Sequence, residues 1–166
     1  MDVSLEEAVR RLLLQQDIGD LNAKLEQSEA DTFGGLWIEH QPQYHVIAAF
    51  TGDGESTLRP YIEGGPLACI VEVRTVEATQ KELLKARAEA AALADSLGIE
   101  TNSAVDVTHT TAVLYVLDPA ALDAALGHAR LSLPDHVQVV QVDALATPVT
   151  DIFGGLALSQ CTSLSH

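Results

Sequence analysis

Basic residues are scarce in this chain. Nine Lys and Arg stand against 24 Asp and Glu, a formal net charge of −15 over 166 residues. Nucleic-acid binding runs on Lys and Arg neutralising phosphates, so this balance argues against it, and equally against anionic membrane surfaces. A basic protein partner is compatible with it; a plain solubilising acidic surface is the simpler reading. Aromatic residues make up only 4% of the chain, so its core must be built from Leu, Val, Ile and Ala. The two cysteines, Cys69 and Cys161, make no disulfide framework and fit no C-x-x-C or zinc spacing. Cys69 lies in the apolar stretch Leu67 to Val73, which predicts a small buried side chain. No stretch approaches the ~18 apolar residues of a membrane span. The N-terminal residues Met1 to Glu7 are acidic and helix-forming, unlike the basic start and apolar middle of an export signal. There is no Asn-x-Ser/Thr sequon.

What is present is 47% hydrophobic residue content, enough for a core, in a length that suits one domain or two small ones. Ser4 and Glu7 have capping-box spacing, and Leu5, Ala8, Val9, Leu12 and Leu13 recur at helical intervals. Leu21 and Leu25 are expected to continue that stripe past Gly19, a point of bending or breakage. Thr32 to His40 and Tyr44 to Thr51 read as strands joined through Gln41-Pro42-Gln43. Ser56 to Ile62 reads as a short helix or turn weakened by Pro60, and Leu67 to Val76 as a third strand.

The order then repeats. Thr79 and Glu82 form a second capping-box pair, opening a helix to Leu97 that Gly98 and Ile99 stop. Ser103 to Thr108 and Thr111 to Leu117 form the second hairpin. Asp118-Pro119 opens another helix, and His136 to Asp143 is the closing strand. The fold class is therefore α+β: two tandem helix-strand-strand-helix-strand units, residues 1–76 and 77–143. Each is expected to hold a three-stranded, mainly antiparallel sheet with helices on one face. Residues 144–166 form a tail.

Chemistry is hard to find. Neither G-D-S-G-G nor a G-x-S-x-G elbow occurs, and Gly52-Asp53-Gly54-Glu55-Ser56 has only a faint likeness to a nucleophile loop. His40 and His45 flank the first hairpin turn, but no third metal ligand is evident; His109 holds a comparable place in the second hairpin. No nucleotide-binding glycine motif exists, and no cofactor is expected. One string does recur: Asp31-Thr32-Phe33-Gly34-Gly35-Leu36 returns as Asp151-Ile152-Phe153-Gly154-Gly155-Leu156. The seam of the duplicated units falls near Val76, so the strings do not mark it.

Phe33 to His40 followed by Val46 to Thr51 resembles the strand pair in pro-regions of bacterial secreted serine proteases of the α-lytic protease and streptogrisin type. The doubled helix-plus-hairpin order is similar to that family, and Phe153 to Ser163 resembles the start of the mature protease, with its first strand and disulfide cysteine. The resemblance covers about residues 4 to 163. It implies a secreted, extracellular folding assistant and inhibitor whose partner is a serine protease domain, normally in cis. It implies no catalytic residues here, because the protease domain would begin only within residues 144–166. The closing strand, with Val137, Val139 and Gln141, and the tail Leu145, Ala146, Thr147 and Pro148 would touch the protease. Processing would fall at Thr150, Asp151, Ile152 or Phe153, and Cys161 would be a disulfide cysteine of the missing domain. Two departures are an absent export signal and an absent catalytic domain. The alternatives are a free-standing α+β binding or dimerisation module, or a non-functional truncated gene product.

Overall fold

The computed structural model describes residues 4–146. Ser4 caps α1 (Leu5–Ser28) by accepting from the Glu7 N–H, and the helix runs through Gly19 without a break. Leu14, Ile18, Leu21 and Leu25 are its buried residues. Leu5, Val9, Leu12 and Leu13 are exposed, at 82%, 49%, 65% and 70%. At 3.6 residues per turn the two stripes are centred roughly 165° apart. The expected single stripe is therefore two: an N-terminal one that faces out, and a second on the opposite side that meets the sheet.

β1 (Phe33–Glu39) and β2 (His45–Phe50) form the first hairpin, antiparallel, with one irregularity between Phe33 and Gly35. α2 (Gly54–Ile62) accommodates Pro60 in its last turn and is capped by Asp53. It carries the chain back, so β3 (Val71–Thr75) runs parallel to β2. Residues 67–70 are turn rather than strand, and Cys69 is exposed there, not buried. The apolar character of that stretch is met by Leu67, which joins the core, and by Ile70, Val71 and Val73, which pack against it.

The second unit repeats this. Thr79 and Glu82 complete a full capping box at α3 (Gln80–Ser96). Beyond the helix, Gly98 adopts φ 72°, and the Ile99 and Gly98 N–H groups bond to Ala94 and Asp95, the Schellman stop. β4 (Thr101–Asp106) and β5 (Thr111–Val116) form the antiparallel hairpin. α4 (Pro119–Ala129) follows, capped by Asp118, and β6 (Val137–Gln141) lies parallel to β5.

The fold is thus α+β, with four helices and two three-stranded sheets, ordered β1-β2-β3 and β4-β5-β6. Each sheet is mixed, where mainly antiparallel pairing was expected. The helix between the second and third strands reverses the chain once more, and that makes the last pairing parallel. In unit one, Leu25, Phe33, Val46, Ala48, Phe50 and Leu58 form a core between α1, α2 and one sheet face. In unit two, Ala90, Ala94, Leu114, Val116, Leu122 and Leu126 do the same under α3 and α4. Burying each such Leu or Phe is worth roughly 1.5–3 kcal/mol. Among the described residues, no helix is long and apolar enough to cross a membrane.

Candidate functional site: the free faces and edges of the two sheets

Opposite its own helices each sheet has a second face whose residues follow from alternation along the strands, and on sheet one that face is partly covered, with Ile47 and Ala49 fully buried and Val107 against Gly35. In unit one, the register sets Trp37, Ile47 and Glu72 in one row and Glu39 beside His45 in the next. Ile47 is fully buried despite being on this side. Trp37 neighbours it, and the Arg74 guanidinium lies 5.2 Å from the Trp37 ring centre, a cation–π arrangement. The Trp37 indole N–H donates to Glu39 at 3.2 Å, Arg74 pairs with Glu39 at 3.0 Å, and His45 Nε2 lies 3.2 Å from the same carboxylate. The Trp37 donor first, then Arg74 and His45, hold the Glu39 carboxyl below its usual range. His40 does not join this cluster; its ring stands 5.7 Å from that of Tyr44. The hairpin histidines therefore serve different contacts. No group of three or more His, Cys, Asp or Glu among the described residues could hold a metal ion.

In unit two the free face carries Asn102, Tyr115 and Val140 in one row and Ala104, Val113 and Gln138 in the next. These two rows are uncharged, and Asp106, next on this side of β4, brings a charge at the turn end. The turn below them is organised by Asp106, which accepts from the Thr108 and His109 N–H groups and from the Thr108 hydroxyl. The Thr108 hydroxyl is the main reason the Asp106 carboxyl sits below its ordinary value, with His109 adding to it. His109 is accordingly a turn residue, as expected.

β6 is an edge strand, hydrogen-bonded to β5 on one side. Of the three residues predicted on it, Val137 and Val139 pack against the unit's own core, and the Gln141 amide donates to the Leu117 carbonyl at 3.2 Å. All three side chains are thus committed to the helix side. The β6 side chains on the free face are Gln138 and Val140, one register position away. Past β6, the Val142 N–H bonds to Val116, and Ala146 returns to β4, where Asn102 meets its main chain. Leu145 is half-buried and Ala146 exposed. Thr147, Pro148, Thr150, Asp151, Ile152, Phe153 and Cys161 lie outside the described residues. Sequence reasoning missed Asn102, because nothing local distinguishes it; its partner lies 44 positions away.

The two units meet at a seam. Gln80 donates to Glu26 at 3.1 Å and Lys81 pairs with Asp31 at 2.8 Å. A cleft of about 320 Å³ lies beside them, lined by Glu26, Ala30, Phe33, Gln80, Lys81 and Leu84. The first Asp-x-Phe-Gly-Gly-Leu string thus supplies seam contacts as well as a strand entry.

A scan against protein-family models finds no match to this chain, and a search of the curated proteins finds none either.

Proposed function

We propose that this chain is the pro-region of a secreted serine protease, a folding assistant and inhibitor rather than an enzyme, acting outside the cell. The observation that carries the reading is the edge strand β6 running directly into the segment that follows it. An edge strand offers unpaired N–H and C=O groups to a strand of another chain, and strand addition gives main-chain affinity. A partner that binds the folding transition state lowers the barrier, and one that binds the native state also blocks it. Because Val137, Val139 and Gln141 are turned to the unit's own helices, their main chain would carry the contact, with Gln138 and Val140 supplying side chains. The segment from Leu145 through Pro148 would follow the protease cleft once Ala146 leaves Asn102, with processing between Thr150 and Phe153.

The test is refolding. A denatured streptogrisin-type protease domain is diluted into buffer with and without the purified chain. The reading expects faster recovery of the folded domain and inhibition of its activity. Neither effect at micromolar chain would overturn it.

The two uncharged rows on the free face of unit two favour a second reading, a free-standing binding or dimerisation module. Size-exclusion chromatography with multi-angle scattering separates the two. A stable dimer that Val140→Lys disrupts would favour the module; a monomer would favour the pro-region.

A further inference from the structure

The Asn102 carboxamide makes two contacts with one residue. The Ala146 N–H donates to Asn102 Oδ1 at 2.6 Å, and Asn102 Nδ2 donates to the Ala146 carbonyl at 3.3 Å. Only one orientation of the amide satisfies both, because its oxygen accepts and its nitrogen donates. A carboxamide has the same donor and acceptor as a peptide group, so Asn102 presents to Ala146 what a neighbouring strand would present. Asn102 stands on the free face of unit two, beside Tyr115 and Val140 in the register. Reaching it from β6 requires the chain to pass β5, since the strand order is β4-β5-β6. Next to the main-chain pair Leu145 is half-buried, while Ala146 is exposed.

We propose that Asn102 is a docking point for extended polypeptide, read through the main chain and occupied in cis by Ala146. The site is tolerant of the side chain at position 146, because that side chain faces solvent, and it requires an N–H there. It fixes where the following residues depart from unit two, at the β4 side of the sheet rather than at β6.

Amide hydrogen exchange on the full chain tests this, with the Leu114 amide of central strand β5 reporting on the intact fold. Asn102→Ala removes both partners and is expected to speed exchange at Ala146 by about fivefold or more, with Leu114 unchanged. Asn102→Asp keeps an acceptor for the Ala146 N–H and is expected to retain protection there. Ala146→Ser is expected to retain protection at position 146. Unchanged exchange at Ala146 in Asn102→Ala overturns the site. Should that variant unfold, unchanged exchange at Ala146 in Asn102→Ser with Leu114 intact does the same. Loss in Ala146→Ser overturns the main-chain reading. No protease enters these measurements, so they are independent of the function proposed above.

Discussion

Val107, in the turn between β4 and β5, closes directly onto Gly35 of β1. A Cβ at Gly35 would stand 2.8 Å from the Val107 Cβ and from its Cγ1. Gly35 also has φ 129°, a conformation that L side chains rarely adopt, beside the irregularity in the β1–β2 pairing. Two requirements for glycine meet at one residue, and one of them is imposed by the other unit.

Gly35→Ala is therefore expected to cost about 3 kcal/mol in urea denaturation, from backbone strain and collision together. Adding Val107→Gly removes the collision and leaves the strain. The double variant should then lose less than the sum of the two single ones, the mark of coupling across the seam.

Arg130 is expected to be improvable. It caps α4 with φ 56°, and its N–H and that of Leu131 bond to Gly127 and Leu126 as in a Schellman stop. The corresponding position after α3 is Gly98, φ 72°. Arg130→Gly should raise stability by about 0.5–1 kcal/mol, the left-handed strain relieved less the extra freedom of the unfolded glycine. Thermal denaturation checks the sign.

The two stripes of α1 should respond oppositely to substitution. Leu25 is fully buried, and Leu25→Ala is expected to cost about 2–5 kcal/mol. Leu5, Leu12 and Leu13 replaced together by Gln should change stability by no more than about 0.5 kcal/mol each. A large loss from the triple change would show that the outer stripe is buried in solution.

The Asp106 turn should loosen in acid. Its carboxyl is held below the ordinary 3.8, so the folded form binds the proton less readily than the unfolded one. Its contribution is complete above that ordinary value and fades as pH falls through the lower, folded one. Asp106→Asn keeps an oxygen acceptor but cannot titrate. The stability difference between the two proteins should then be flat above about pH 5 and shrink below pH 4. Urea titrations across that range measure it.

The order of elements was legible because its signals are local. Thr79 with Glu82, Asp118 with Pro119, and Gly98 with Ile99 each act within one helix turn, and each does what its spacing predicts. The outward stripe of α1 was misread because periodicity tells which residues share a face, not which face meets the sheet. Cys69 was misread because Leu67 and Ile70 on either side of it turn to the core while Cys69 faces out from a turn. The parallel pairing of β3 and β6 depends on the route of a crossover, which composition does not record. The closing strand β6 was legible as a strand, but the facing of its side chains was not. Asn102 and Val107 acquire their roles only through segments distant in the chain.

The closure of Val107 onto Gly35 also bears on how the chain is made. Every strand of sheet one precedes the seam, so unit one can assemble while later residues are still being synthesised. During that interval the notch at Gly35 stands open. A chain in which unit one forms first has a stage where sheet one is complete but its Gly35 side lacks the cover that Val107 brings. Substitutions in the β4–β5 turn should therefore lengthen that stage without altering how sheet one itself forms.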